Sequence, residues 1–141
     1  MASDEEGRAR GEAMRRRILG NAHVDRAAAN VTPLNKEFQE LITRYVWGEI
    51  WTRDGLDERT RRVLVIGTMI AIGRWEEFEM HVRAAVVEGG FSANDVKEIV
   101  LQQAIYCGVP AAHAALTRVE AMVVSARKRP RRAVNKTTKR R

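Results

Sequence analysis

His81 follows Glu77 by four residues in Arg74-Trp75-Glu76-Glu77-Phe78-Glu79-Met80-His81-Val82-Arg83-Ala84-Ala85. That spacing puts an imidazole and a carboxylate on one face of a helix. An imidazole titrates near neutral pH, so it can give up a proton and recover it at working pH. A carboxylate one turn earlier can hold the ring by a hydrogen bond and raise its basicity. The same spacing fits a solvated helix on which Glu76, Glu77 and Glu79 face water and His81 packs by its ring edge, so spacing alone leaves both readings open. The chain has two other histidines, His23 and His113, and one cysteine, Cys107. His113 falls in the first turn of an Ala-rich helix, a place for packing or exposure. Cys107 reads as a small buried hydrophobe at a helix end, and alone it forms no intramolecular disulfide. Three scattered histidines and one cysteine have none of the spacing of a zinc site, so no metal is expected.

At 141 residues and 45% hydrophobic content the chain is expected to form one domain with a real core. The formal charge of +7 invites a nucleic-acid reading, but the charge is concentrated. Residues 127–141 hold nine Lys or Arg and no acid, which leaves 16 of the 25 basic residues against all 18 acidic ones in 1–126. The body is therefore slightly acidic, and the tail is expected to be a disordered basic extension with at most non-specific contacts to nucleic acid. No run of roughly eighteen apolar residues occurs and the first fifteen residues are charged rather than signal-like, so no membrane span and a cytoplasmic location are expected.

The elements that must position His81 and Glu77 read as helices throughout. Residues 1–10 are expected to be flexible, with a helical pattern from Glu12 to Leu19 stopped by Gly20-Asn21. A short helix or turn from His23 to Asn30 ends at Thr32-Pro33. Asn35 to Trp51 places Phe38, Leu41, Ile42 and Tyr45 at helical spacing and ends at Asp54-Gly55. Asp57 can cap a helix whose ten residues Val63 to Ile72 carry no charge. Such a helix is apolar on nearly every face, and a second subunit is expected to cover part of it. The Arg74–Glu88 helix closes at Gly89-Gly90, Ser92-Ala93-Asn94-Asp95 reads as a capping box for a helix to Tyr106, and Pro110 suits the first turn of the last one. The expected fold is all-α, a compact bundle of about six helices over residues 11–126.

The motif around His81 resembles the carboxymuconolactone decarboxylase family, within the wider alkylhydroperoxidase-D-like group. Three other blocks carry the resemblance: His23-Val24-Asp25-Arg26-Ala27, Ile42 to Arg53 (Ile-Thr-Arg-Tyr-Val-Trp-Gly-Glu-Ile-Trp-Thr-Arg), and Ile105-Tyr106-Cys107-Gly108-Val109-Pro110-Ala111-Ala112. Redox members of the wider group have a Cys-x-x-Cys-x-x-x-His motif on the equivalent helix. Aligned on His81, its cysteines fall on Arg74 and Glu77, so both thiols are missing, and dithiol chemistry, which needs a low-pKa thiolate and a resolving cysteine, is disfavoured.

The resemblance implies decarboxylation of 4-carboxymuconolactone to the enol-lactone of 3-oxoadipate, in the protocatechuate branch of aromatic catabolism. The departing carboxylate is conjugated through the ring double bond with the lactone carbonyl, so the substrate is its own electron sink and no cofactor is expected. The protein must bind a dianion, stabilise a dienolate and deliver one proton. His81 with Glu77 as partner is the expected proton donor, and His23 the second candidate. Among Arg26, Arg44, Arg53, Arg74 and Arg83, one or two are expected to hold the substrate carboxylates, since a planar guanidinium fork matches them. Arg26 and Arg44 are favoured, with Arg74 next, against the plain reading of all five as solvated helix faces. Trp47, with Tyr45 and Trp51, could wall the pocket, although aromatics at helical spacing commonly belong to a core; Trp75 is equally ambiguous. The resemblance also implies a ring-shaped homo-oligomer, a trimer or hexamer. A peroxide-handling redox protein of the same group is the alternative activity, and a helical oligomer that binds nucleic acid through its tail is a non-enzymatic one.

Overall fold

The computed structural model describes residues 3–128. Seven α-helices and one π-helical stretch follow one another: α1 (Asp4–Leu19), α2 (Asn21–Ala29), α3 (Lys36–Leu41) running on into a π-helix (Ile42–Ile50), α4 (Glu58–Ile72), α5 (Trp75–Val87), α6 (Ala93–Cys107) and α7 (Val109–Lys128). No strand occurs among the described residues. The basic tail beyond Lys128 lies outside them.

Local chemistry sets most of the boundaries. The Asp57 carboxylate accepts from the Thr60 N–H at 2.7 Å at the start of α4. Ser92 and Asp95 exchange the two bonds of a capping box at the start of α6. Gly20 and Gly108, at φ 87° and 93°, turn the chain from α1 into α2 and from α6 into α7 with almost no loop. One boundary differs from the sequence pattern. α1 begins at Asp4, well before Glu12, because Ser3 and Glu6 form a capping box and Asp4, Glu5 and Glu6 complement the helix dipole in the first turn.

Two cores result. Ile66 and Ile70 of α4, Phe78, Val82 and Ala85 of α5, Phe91, Val96, Ile99 and Val100 at α6, and Ala112 and Ala115 of α7 form the larger one. Ile18, Leu19, Trp47 and Ala84 form the smaller, with Met14, Val46, Trp51 and Met80 packed on it. Trp47 stacks on Trp51 with ring centroids 5.0 Å apart. α5 is thus the shared wall, giving one face to each core.

The smaller core needs α1 and the π-helix to touch through backbone. A Cβ on Gly11 would lie 1.8 Å from the Thr43 carbonyl oxygen, and one on Gly48 2.4 Å from that of Gly7. The Arg10 Nε–H then donates to the Gly48 carbonyl at 2.8 Å across the crossing. A π turn is wider than an α turn and its carbonyls are not aligned as in an α-helix, which the sequence periodicity of Asn35–Trp51 does not reveal.

The charge-free stretch of α4 is buried on one side only within the chain. Ile66 and Ile70 are closed off, whereas Leu64 and Ile72 are 54% and 61% exposed. Around the α6–α7 corner Ile105, Tyr106 and Val109 are more exposed still.

The crossing makes a stability prediction. Replacing a helical glycine by alanine ordinarily stabilises by about 1 kcal/mol. Gly11→Ala is expected to destabilise instead, by about 2 kcal/mol or more, because backbone must move. Urea melts of Gly11→Ala beside Gly55→Ala, whose Cβ would meet nothing within 4 Å, check this; equal midpoints for the two variants would refute the close crossing.

Candidate active site

His81 occupies the seam between the two cores. On α5 the larger core takes Phe78, Val82 and Ala85 and the smaller takes Met80 and Ala84. At about 100° per residue, Glu77, His81 and Glu88 form the stripe between those faces. The stripe meets the corner where α1 turns into α2. A Cβ on Gly20 would lie 2.7 Å from Glu88 Oε1, and Ile18 and Leu19 pack with Ala84. His23 is on the first turns of α2, just past that corner.

The imidazole there is poor in countercharge. Burial foremost, then the charges of Arg62 and His23, push His81 down to about 4, with Glu77 acting weakly the other way. His23 is lowered too, by burial first and then by Arg15 and Arg26. Glu77 does not hold the His81 ring by the hydrogen bond expected from their spacing. Its carboxylate accepts from Arg74 Nη2 at 2.7 Å, which holds it below the usual carboxylate range. At neutral pH both imidazoles are therefore uncharged, and cations outnumber free carboxylates around them.

The other residues singled out in the sequence are dispersed. Arg26 is exposed on α2, close enough to act on His23 through its charge. Arg74 is 62% exposed and committed to Glu77. Arg44 faces a different groove, between α1 and α3, where it pairs with Asp4 at 3.6 Å and lies beside Arg8, Glu37 and Glu40. Trp47 is a core residue, 7% exposed and closed over by Trp51. Arg53 is exposed, and its carbonyl accepts from Arg61. Arg83 lines a third groove, between α5 and α7. Cys107 is half-buried at the end of α6, and His113 is exposed on α7.

Two arginines not singled out in the sequence also act on the histidines through their charge, Arg62 on His81 and Arg15 on His23. Arg62 is 2% exposed, donates from Nη1 to the Ile18 carbonyl at 2.9 Å, and shares the Glu58 carboxylate with Arg17. Arg15 is half-buried, donates to Gln39 Oε1 at 3.2 Å, and leaves its Nε without a partner; burial foremost lowers its pKa, against the charge of Glu12. A signal was present for each. Arg15 falls in the inward register of Gly11, Met14, Ile18 and Leu19, and Arg62 lies four residues after Glu58 at the edge of the charge-free run.

Cations around two uncharged imidazoles form a site suited to an anion and to the transfer of a proton. Comparison with known proteins agrees with that chemistry. Residues 36–121 match the model of the Carboxymuconolactone decarboxylase family, a span that holds His81 and Arg62 and leaves out His23. A 4-carboxymuconolactone decarboxylase of Acinetobacter baylyi is 37% identical over 118 residues, 84% of this chain and 87% of that protein. A nitrosuccinic acid decarboxylase of Metarhizium robertsii is 38% identical over 112 residues, 79% of this chain and 73% of that protein. A 4-carboxymuconolactone decarboxylase sequence of Pseudomonas putida is 49% identical over 39 residues, 28% of this chain and 81% of that sequence. With more than half its length matched by the family model and most of it shared with two decarboxylases, the chain belongs to the carboxymuconolactone decarboxylase family.

Proposed function

We propose that this protein is a carboxy-lyase that decarboxylates 4-carboxymuconolactone without a cofactor, giving CO2 and the enol-lactone of 3-oxoadipate in protocatechuate catabolism. The likeness to the Acinetobacter baylyi enzyme over 84% of the chain carries the reading, and the cation-rich seam around His81 supports it. The bond from the ring carbon to the departing carboxylate breaks, and its electron pair moves through the ring double bond onto the lactone oxygen. One proton then reaches the carbon next to the carbonyl, so a dianion and a proton become a monoanion and CO2. His81 is the proposed donor, with His23 behind it, and Arg26 and Arg74 are proposed to meet the carboxylates at the rim. Arg44 and Trp47 keep only a proposed supporting role, in the α1–α3 groove and the core. The peroxide-handling alternative has no second thiol to work with, and both longer matches are named decarboxylases.

A second substrate merits testing because the nitrosuccinic acid decarboxylase matches at a similar identity over a somewhat shorter span. The two acids share a framework. Each is a succinate dianion whose departing carboxylate sits on a carbon attached to an electron sink, a vinylogous lactone in one and a nitro group in the other. Loss of CO2 leaves a dienolate or a nitronate, and both need one proton on carbon.

The reading includes a soluble cytoplasmic homo-oligomer. Among the described residues no helix is long and apolar enough to cross a membrane. The exposed Leu64 and Ile72 of α4 and Ile105, Tyr106 and Val109 at the α6–α7 corner are apolar surface of the kind that subunit contacts cover.

Three outcomes are expected. The purified protein turns over 4-carboxymuconolactone in an ultraviolet assay, and His81→Ala lowers kcat by about 100-fold or more, as loss of a general acid does; no turnover of either acid by folded protein would sink the activity, and turnover undiminished in the variant would move the proton donor elsewhere. Light scattering at micromolar concentration gives a trimeric or hexameric mass, and a monomer would refute the assembly. Stability depends on pH through His81. Because its folded pKa is about 4 against about 6.5 unfolded, the unfolded chain binds the extra proton between those values. The stabilisation from keeping His81 neutral is fully present above about pH 6.5 and lost as pH falls towards 4, by about 1–3 kcal/mol. Melting of His81→Gln across that range should show a shallower acid slope than the parent.

A further inference from the structure

Arg62 is the only charged side chain among the described residues that the fold closes off almost completely. Its guanidinium is fixed on two sides: Nη1 donates to the Ile18 carbonyl, while Nε and Nη2 both donate to one Glu58 oxygen at 3.4 and 3.2 Å. The other Glu58 oxygen accepts from Arg17 at 2.8 Å. One carboxylate therefore serves two guanidinium groups, and Arg62 carries net positive charge into the interior. Gly89 completes the fit, since a Cβ there would lie 2.8 Å from Arg62 Nε.

The segments that meet this guanidinium, one bonded to it through the Ile18 carbonyl and one packed against it at Gly89, are the ones that carry the two histidines. Ile18 is in the last turn of α1, and Gly20 leads from it into α2 and His23. Gly89 follows α5, which carries His81. The groups facing His81 are Arg62 from α4, His23 from α2 and Glu77 from α5 itself, and Arg15 and Arg26 stand behind His23. Of the carboxylates on that stripe of α5, Glu77 is bound to Arg74, and Glu88 lies two turns beyond His81 against Gly20. A buried cation that is only half compensated is costly. Its cost falls when an anion arrives.

We propose that Arg62 is a positioning residue, an interior cation that clamps the segments bearing His23 and His81 and couples the arrival of an anionic substrate to the arrival of a proton on His81. Arg62 acts through His81 and does not touch substrate. Burial keeps the imidazole bare, and the Arg62 field adds to it. A succinate-type dianion supplies the opposing charge, and His81 takes up from solvent the proton that decarboxylation will consume. An uncharged lactone of the same shape would enter without arming the donor, so the coupling also selects for charge. This rests on His81 being the proton donor of the proposed reaction.

Succinate, which has the shared framework and no electron sink, is a suitable unreactive probe. Calorimetric titration of the full-length protein with succinate at pH 6, in two buffers of different ionisation enthalpy, counts the protons taken up. NMR of the imidazole protons, assigned with His81→Gln, follows the titration of His81 with and without succinate. Uptake approaching one proton, absent in His81→Gln, and an upward move of the His81 titration on binding are expected. In Arg62→Gln the empty-state titration should rise by roughly half to one pH unit, while Arg62→Lys, which keeps the charge, should stay near the parent. A merely structural arginine would lower the melting temperature in both variants and leave both titrations where they were.

Succinate binding without proton uptake, no binding at tens of millimolar, or an unmoved His81 titration in folded Arg62→Gln would each overturn the proposal. Should Arg62→Gln fail to fold, the parent's proton count still decides. None of these readouts needs turnover. A protein that decarboxylates neither acid would still show the coupling, and turnover without the coupling would sink this inference alone.

Discussion

The Arg62 guanidinium is the point on which the arrangement of the site depends. A fully buried charge is tolerated only where its donors are met, and here they are met by the end of α1 and by a carboxylate of α4 itself. The bond to the Ile18 carbonyl satisfies one of the acceptors a helix leaves open at its C-terminal end. It thereby fixes where α1 stops relative to α4, and Gly20 then directs α2 back past the same place. Because the charge is only half matched, the space beside it excludes further cations and favours an uncharged imidazole.

A second constraint works from the far side. The glycine contacts between α1 and the π-helix let the two backbones approach within the width of a side chain, which allows Trp47 and Trp51 to close the smaller core beneath α5. α5 is then gripped on two faces by different cores. A helix held on one face can rotate in its groove, whereas one held on two presents the stripe between them in a single orientation. His81 owes its burial and its low proton affinity to that grip. The chemistry proposed for it is economical for the same reason: the substrate carries its own electron sink, so the protein has only to place charge and one proton.

Much of this was legible in the residues. The helices, their caps at Asp57 and Ser92, the stop at Gly20 and the face shared by Glu77 and His81 all follow from interactions within four residues along the chain, where spacing predicts contact directly. The family was legible as well, because several short blocks occur in order. Periodicity did not show the π-helix, since the apolar residues of Asn35–Trp51 also fit an α-helical spacing and π turns are rare. Nor could it choose among arginines. Arg44 and Arg74 stand in blocks as persuasive as any other, yet each meets an acid first, Asp4 and Glu77, and Arg62 was hidden by looking like the solvated start of an apolar helix.

By itself, then, the sequence determined the local elements, the all-α class and the chemical vocabulary: one imidazole in an apolar helix, many guanidinium groups and no pair of thiols. Tertiary structure decided which of those groups act on one another. Contact between α1, α4 and α5 depends on residues some forty positions apart, such as Ile18 and Arg62, and a buried charge is set by everything packed around it. Burial, which no spacing rule reports, is what turns His81 from a surface histidine titrating near neutrality into one that stays uncharged there.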